Sequence, residues 1–444
     1  MSQDAEGIAP AQFNGLAGAR VGPALLALAL GGFSIGTTEF ATMGLLPQIA
    51  GDLNVRIPVA GHVITAYALG VVVGAPLLTV AAARVDRRVL LIALMVAFTV
   101  GNVLSAFAPS VGWLVAARFA AGLPHGAFFG VGAVVGTAVV GPARRGRAVA
   151  MLMAGLTTAN IVGVPLSTVV GQNVSWRAAF VVVGVLGLIT LAALSRWIPA
   201  LAAHPDATVR TELGALRNGR LWAAFAAGAI GFGGMFAVYS YVAPLITEVT
   251  RLPAATVPIV LALFGLGMTA GAMIGGRLAD RSVLRTVYAG FAGTAVALVL
   301  VALTGRQAVG AVTSIVLLGI ASQVLGLALQ TRLMDVSPAA PSLGAALCHS
   351  ALNLGNASGA FFGGLVISAG WGYLAPAWVG VGLTVAGLVV VVLGRGAGPT
   401  RAGGSEAVDP VAADRSATAG AEQRALDLAS DDRPGRTQEG SHRR

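Results

Sequence analysis

Long apolar runs dominate the chain between residues 21 and 394, and short polar segments separate them. A helix needs about 20 apolar residues to cross a bilayer, and twelve runs approach or exceed that length. The pattern therefore predicts an all-α membrane protein with twelve transmembrane helices, numbered here 1 to 12. The runs are Val21–Leu46, His62–Ala82, Val89–Ala108, Val111–Val140, Ala148–Val170, Ala178–Ile198, Leu221–Thr247, Val257–Gly276, Val287–Leu303, Ala308–Leu333, Leu343–Ser368 and Tyr373–Leu393.

The composition is that of a membrane protein. Of the 444 residues, 56% are hydrophobic and 10% are charged, and the mean hydropathy is +0.83, too apolar for a soluble protein. The net charge of +10 could suit a nucleic-acid ligand, but the basic residues lie in short loops and form no basic face. We therefore expect a lipid bilayer as a partner and no nucleic acid.

Arginines are distributed unequally between alternate loops. Four lie in the loops on one side, at Arg56, Arg177, Arg251 and Arg306. By the positive-inside rule, this asymmetry predicts a multi-pass protein of the bacterial inner membrane with both termini in the cytoplasm. The fourteen on the cytoplasmic side are Arg84, Arg87, Arg88, Arg144, Arg145, Arg147, Arg196, Arg210, Arg217, Arg220, Arg277, Arg281, Arg285 and Arg332.

Five segments follow from the alternation of apolar and polar stretches. We expect a cytoplasmic N-terminal segment at 1–20, a six-helix bundle at 21–198, a cytoplasmic linker at 199–219 and a second bundle at 220–394. The remaining residues, 395–444, mix acids, arginines, Gly, Ser and Pro, a composition that predicts a disordered tail.

The two bundles repeat each other. A shift of 197 residues lays Pro244 on Pro47 and Gly233 on Gly36. Such repeats build many secondary transporters, whose substrate site lies between the repeats near the membrane midplane. The expected architecture is therefore two pseudo-symmetric six-helix bundles around a central site.

Glu39 is the only acidic residue deep inside one of the apolar runs. A carboxyl group at the bilayer centre costs roughly 2.5 to 3.5 kcal/mol on insertion scales, so such residues usually handle ions or protons. We expect Glu39 to carry the coupling proton of a transporter. The alternative is a structural acid that is hydrogen-bonded to a neighbouring helix.

Related motifs occupy two equivalent loops. The segment from Gly276 to Asp280 and Arg281 follows helix 8, and the loop after helix 2 retains Arg84 and Arg88. An ordinary positive-inside loop is the plain alternative, but the repetition at a fixed shift favours a specific motif. It resembles the signature of these loops in the major facilitator superfamily, which implies a role in conformational change. Ala83 stands where that family has an aspartate in the first copy.

On helix 4, Arg118, Gly122, His125 and Phe129 share one helical face. The segment looks like the helix-4 signature of the same superfamily, in which a buried arginine takes part in proton transfer. That likeness implies that Arg118 stabilises the ionised form of Glu39, since opposite charges attract. The alternatives are an Arg118 side chain that reaches the membrane surface, and a His125 that only packs rather than relaying protons.

Helix 5 has a glycine and proline pattern at Gly155, Gly163 and Pro165. It resembles the antiporter motif of the superfamily, which implies a kinked helix at the interface of the two halves and transport by export. General packing of small residues between membrane helices is the alternative.

The first helix, from Gly36 through Glu39 and Pro47 to Asp52, resembles that of twelve-span drug:proton antiporters. The likeness is closest to bacterial chloramphenicol-resistance and arabinose-efflux-like permeases and covers residues 22–394. It implies the major facilitator fold, a monomer, and a cavity lined by helices 1, 4, 7 and 10. It also implies proton-coupled efflux of a small, amphiphilic, drug-like molecule, for example a chloramphenicol-like one. Export of a sugar or metabolite, or proton symport, is the alternative.

Candidate substrate-binding residues are aromatic or polar positions on the inner helices. Small-molecule sites combine an apolar wall with a few polar groups, although hydrogen bonding between helices is an alternative for the polar ones. The five histidines are scattered and suit no metal site, cofactor or catalytic dyad, so we expect no enzyme. The candidates are Phe33, Met43, Phe128, Tyr239, Tyr241, Gln323, Gln330, His349, Asn353 and Asn356.

Overall fold

The computed structural model describes residues 21–81, 85–141, 144–200, 219–336 and 341–394. These residues form helices joined by short loops, and no strand occurs among them, which confirms the predicted all-α fold. The expected N-terminal segment, most of the linker and the tail lie outside the described residues. The long helices are α1 (Val21–Gly44), α2 (Ile57–Ala81), α3 (Arg87–Ala106), α4 (Val111–Val140), α5 (Arg145–Asn173), α6 (Trp176–Trp197), α7 (Gly219–Tyr239), α8 (Val257–Arg281), α9 (Val283–Thr304), α10 (Ala308–Asp335), α11 (Pro341–Ser368) and α12 (Ala375–Gly394).

Eleven of the long helices in the described part of the chain are long and apolar enough to cross a membrane. The other, α11, has 28 residues, or about 42 Å at 1.5 Å per residue, so its length also suffices. Its polar residues His349, Asn353 and Asn356 lower its hydropathy. The twelve predicted runs therefore correspond one to one with twelve long helices.

The first predicted helix is interrupted near its end. It was expected to run to Leu46, but α1 ends at Gly44 and a short helix follows at Leu46–Asp52. Pro47 lies in the first turn of that short helix. Proline has no N–H to donate to the carbonyl four residues earlier, so the regular helix stops before it and starts again.

Side-chain caps fix where several helices begin. Asp86 accepts hydrogen bonds from the backbone of Arg88 and Val89 at the start of α3, at 2.9 and 3.1 Å. Ser175 caps α6 by accepting from Ala178 at 3.1 Å. Such caps satisfy backbone N–H groups that have no partner within the helix. Because hydropathy does not register them, the predicted runs began two residues too late at both helices.

The two ends of the bundle are named here by residues that lie on them. The outer end contains Asp52 and Arg177, and the inner end contains Arg88 and Arg196. The largest core cluster crosses from one half to the other, and includes Phe40 and Met43 on α1 together with residues of α7 and α8. The contact between the halves is therefore apolar over much of its area.

Candidate functional site

Glu39 lies on α1 where this helix meets the second half. The residue is only 8% exposed. Its neighbour Phe40 stacks on Phe236 of α7, with ring centroids 6.1 Å apart, and meets Tyr239 edge to face at 5.9 Å. Tyr239 in turn stacks on Phe264 of α8 at 4.0 Å. The acid is thus embedded beside an aromatic contact that joins α1, α7 and α8.

The carboxyl group of Glu39 has no direct polar partner. Among the described residues it forms neither a hydrogen bond nor an ion pair. It nevertheless lies close enough to Arg118, Tyr67 and Tyr239 to interact with them electrostatically. A structural acid bonded to a neighbouring helix, the alternative drawn from the sequence, would need a hydrogen bond that this arrangement does not supply.

Arg118 is fully buried on α4, so its side chain does not extend to the membrane surface. Its guanidinium donates to the hydroxyl of Thr38 at 2.7 Å, to the carbonyl of Thr38 at 3.0 Å and to the side-chain oxygen of Asn102 at 3.4 Å. The expected partner, Glu39, follows Thr38 on α1 but lies beyond ion-pair distance of Arg118. The guanidinium nitrogen Nε of Arg118 has no partner among the described residues, so one donor of Arg118 remains available.

Tyr67 of α2 connects Arg118 to His125. The guanidinium carbon of Arg118 lies 4.2 Å from the centre of the Tyr67 ring. The Tyr67 hydroxyl is 3.1 Å from Nδ1 of His125. A positive charge over an aromatic face is favourable, more so away from water, so the ring stabilises the buried guanidinium while the hydroxyl reaches the histidine.

Two histidines from opposite halves meet at the end of this connection. His125 of α4 and His349 of α11 have ring centroids 5.5 Å apart. Phe129 stacks on His349 at 5.0 Å and tilts against His125 at 5.3 Å. Arg118, Tyr67, His125 and His349 therefore form a continuous line from the core of the first half to the second half.

The candidate substrate residues lie in several parts of the bundle. Met43 and Tyr239 lie in the core that joins the halves, near Glu39. Phe128 instead packs inside the first half, so it lies apart from Tyr239. Tyr241 donates to the carbonyl of Ala360 on α11 at 2.8 Å, which ties α7 to α11.

The polar candidates lie on α10 and α11, whereas the apolar Phe33 is partly buried on α1. Gln323 and Gln330 are partly buried on α10. Asn353 donates to the carbonyl of His349 at 3.1 Å, within its own helix. Asn356 is 1% exposed, and neither side-chain polar atom has a partner. A buried amide left unpaired is costly, which makes Asn356 available to a ligand or to an alternative packing of the halves.

The helix-5 motif lies against α1. A Cβ atom at Gly155 would be 1.9 Å from the carbonyl oxygen of Ala29, and one at Gly163 would be 2.2 Å from the hydroxyl of Thr37. Only glycine permits this approach. A π-helical turn spans Ala159–Gly163, just before Pro165, whose missing N–H shifts the hydrogen-bond ladder.

The loop motifs lie at the inner end. Arg88 donates to the carbonyl of Ser195 on α6, and Arg84 lies outside the described residues. Asp280 and Arg281 occupy the last turn of α8, and Gly276 lies one turn earlier. Asp86, the acid nearest to the position of Ala83, caps α3 through its carboxylate.

Sequence reasoning missed three residues that hold this arrangement, namely Thr38, Tyr67 and Asn102. Asn102 carries a signal, because an amide within the apolar third run is expensive unless it is bonded. Thr38 and Tyr67 carry none, since both residue types are common in membrane helices. The described residues contain no group of three or more His, Cys, Asp or Glu side chains that could hold a metal ion.

Comparison with known proteins identifies the family. The sequence profile of the Major Facilitator Superfamily matches residues 28–342 of this chain. The chain belongs to the Major Facilitator Superfamily. It is therefore a multi-pass membrane transporter of the inner membrane rather than an enzyme.

Several superfamily members are similar along most of their length. The chain is 42% identical to the inner membrane transport protein YdhP of Escherichia coli (strain K12), over 83% of this chain and 94% of YdhP. It is 36% identical to the MFS-type transporter YtbD of Bacillus subtilis (strain 168), over 83% and 94%. It is 33% identical to a chloramphenicol resistance protein of Streptomyces lividans, again over 83% and 94%.

Proposed function

We propose that this superfamily member exports small, amphiphilic, drug-like molecules across the bacterial inner membrane in exchange for protons. The likeness to the Streptomyces lividans protein supports a chloramphenicol-like substrate. The resemblance of the glycine and proline pattern on α5 to the antiporter motif supports the outward direction. The arginine distribution supports a cytoplasmic position for both termini.

One observation carries the proton coupling, namely the environment of Glu39. The side chain is buried among aromatic residues of α1, α7 and α8 and has no hydrogen-bond partner among the described residues. An ionised carboxylate in such surroundings is expensive, whereas the protonated acid is neutral. Gain and loss of one proton at Glu39 therefore change the free energy of the contact between the two halves.

Arg118 responds to that proton. While Glu39 is protonated, the guanidinium rests on Thr38 and Asn102. When Glu39 ionises, the negative charge on the residue next to Thr38 attracts the guanidinium, whose Nε is unbonded. The resulting shift of α4 against α1 loosens the aromatic contact, so that the halves rock about the central site.

A polar connection runs from Arg118 through Tyr67 to His125 and His349. The ring nitrogens of histidine can donate or accept hydrogen bonds, and the histidine pair bridges α4 and α11. We assign this line a part in coupling because it connects the surroundings of Glu39 to the contact between α4 and α11. One proton moving inward across a potential of 100 mV releases about 2.3 kcal/mol, which can drive an accumulated substrate outward.

Replacement of Glu39 tests this proposal directly. Glu39→Gln keeps the size and hydrogen-bonding capacity of the side chain but removes its titration. In proteoliposomes that contain purified protein, we expect chloramphenicol transport driven by a pH gradient to fall to background. Binding of neutral chloramphenicol should survive, because the amide imitates the protonated acid.

The matched control is Glu248→Gln, the same exchange at an exposed glutamate beyond the end of α7. It should transport at the wild-type rate. Wild-type transport by the Glu39→Gln protein would exclude Glu39 as the coupling residue. A drug-susceptibility panel in a host that lacks its own pumps would show which compounds are exported, and unchanged susceptibility to every drug would contradict drug export.

A further inference from the structure

A cavity of about 280 Å³ lies at the inner end of the first half, away from the central site. Arg88 at the start of α3 and Arg196 at the end of α6 reach it from two sides. Trp197 also lines it, as do the apolar residues Val21 and Val139. A pocket lined by two cations and by apolar residues suits an amphiphile that carries a negative charge.

Within the described ranges, Arg88 and Arg196 lack an acidic partner. In the described part of the chain, no carboxylate lies within ion-pair distance of Arg88 or Arg196. Arg88 is held by its hydrogen bond to the carbonyl of Ser195, while its buried Nε has no partner. One N–H of a fixed guanidinium is therefore free to donate to an oxygen in the cavity, and leaving it unpaired costs free energy.

The location suits the headgroup region of a bilayer. Both arginines lie at helix ends, where the hydrocarbon gives way to the polar interface, and tryptophan is enriched at this depth. Guanidinium groups bind phosphate through paired, charge-assisted hydrogen bonds. Val21, Ala24 and Val139 also line the cavity, which gives the first part of an acyl chain an apolar surface to pack against.

We propose that this cavity binds the phosphodiester headgroup of an anionic phospholipid of the cytoplasmic leaflet. The two guanidinium groups take the phosphate oxygens, and Trp197 packs beside the glycerol portion. Such a lipid would bridge the start of α3 and the end of α6, the helices already joined by Arg88 and Ser195.

Native mass spectrometry of the purified full-length protein tests the site. Phosphatidylglycerol and phosphatidylcholine are titrated separately, because both carry a phosphodiester but only the first is anionic. We expect saturable and preferential binding of phosphatidylglycerol. A basic residue near the membrane surface strengthens binding about fivefold, so Arg88→Gln and Arg196→Gln should each weaken it by about that factor, and the double variant by roughly thirtyfold.

The matched control is Arg285→Gln, the same loss of charge at an exposed arginine of the inner end that corresponds to Arg88 in the repeat. It should bind phosphatidylglycerol as the wild type does. Arg196→Lys keeps the charge and should retain most of the binding. If Arg196→Gln does not fold, Arg196→Lys is compared with Arg88→Gln instead. Thermal unfolding without added lipid shows whether each variant is folded.

Three outcomes would overturn the proposal. Equal phosphatidylglycerol binding by the wild type and the double variant would mean that the lipid binds elsewhere. If millimolar inorganic phosphate displaced bound phosphatidylglycerol as effectively as added lipid does, the cavity would be a site for a free anion. A many-fold gain in lipid binding on replacing the linker acids Asp206 and Glu212 by amides would mean that the linker occupies the cavity.

Discussion

The buried guanidinium of Arg118 is tolerated in this transporter because hydrogen-bond acceptors and an aromatic ring surround it, except at its Nε atom. Thr38 and Asn102 accept its hydrogen bonds, and the Tyr67 ring covers one face. Removing water from a charge costs several kcal/mol unless such partners replace it. Arg118 is thus held by neutral groups, as the proposed response of its charge to Glu39 requires.

At this scale, Tyr67→Phe separates two roles of one side chain. The ring over Arg118 remains, while the hydroxyl at 3.1 Å from His125 is lost. We expect proton-driven transport to fall about tenfold, because the connection from Arg118 to the histidines is broken. Stability should change by only about 1 kcal/mol, the usual contribution of one hydrogen bond.

Transport rates in proteoliposomes and thermal unfolding in detergent provide the two measurements. Tyr373→Phe, the same change at a partly exposed tyrosine of the outer end, serves as the control and should affect neither. If Tyr67→Phe transported normally, the line through His125 would play no part in coupling.

The candidate site could be predicted from sequence only where a residue was costly in its surroundings. Glu39 and Arg118 stand out because charges are rare within apolar runs. Tyr67 and Thr38 became recognisable only from the distances between helices. Sequence also does not show which way an aromatic side chain faces, and Phe128 packs in the core of its own half.

Among the secondary-structure elements, α5 makes a close backbone contact with the second half of the molecule. Its π-helical turn at Ala159–Gly163 brings the carbonyl of Asn160 to α8, where a Cβ atom at Gly265 would lie 2.5 Å from that oxygen. Extra volume at this point cannot be absorbed by a flexible side chain, because the neighbour is backbone.

We therefore expect Gly265→Ala to push α5 and α8 apart. Overpacking of this kind costs about 1 to 3 kcal/mol, and the variant should fold but transport roughly tenfold more slowly. The control is Gly382→Ala on α12, where an added methyl group meets nothing within 4 Å. Transport per folded molecule is the measurement, and an unchanged rate would show that the halves do not need this contact.

An ion pair between Asp52 and Arg177 joins the short helix that follows α1 to the start of α6. Asp52 accepts hydrogen bonds from Arg177 and from the indole N–H of Trp176, and these bonds lower the pKa of Asp52. A lowered pKa means that the stabilisation is present above the unfolded pKa of about 3.9 and is lost as the pH falls through the lower folded value.

Asp52→Asn should consequently lower the stability at pH 7, by no more than about 1 kcal/mol because the pair is partly exposed to solvent. The difference between variant and wild type should shrink as the pH approaches 3. Thermal unfolding at both pH values measures it, with Asp335→Asn at the exposed end of α10 as the control. A difference that persisted at low pH would mean that the carboxylate charge is not what stabilises the joint.

Helix positions were largely predictable, and helix ends were not. The run Val111–Val140 matched α4 at both ends, because hydropathy changes sharply there. By contrast, the break before Pro47 and the π-helical turn before Pro165 depend on single missing N–H groups, which hydropathy averages away.

For the whole molecule, the arginine distribution predicts that both termini are cytoplasmic. A reporter that is active only in the periplasm should give no signal when it is fused to the C-terminus, and a strong signal when it is inserted after Arg306 in the loop between α9 and α10. The opposite pattern would reverse the orientation of the bundle, and with it the leaflet that faces the cavity of Arg88 and Arg196.

The apolar core shared by α1, α7 and α8 also determines how transport depends on temperature. Burial of apolar surface is driven by entropy near 25 °C and carries a large heat-capacity change. Each opening of the contact between Phe40 and Phe236 therefore exposes apolar surface to water. The enthalpy of that exposure increases as the temperature rises. The opening step acquires an activation enthalpy that varies with temperature, and the Arrhenius plot of a transporter limited by that step is curved rather than straight.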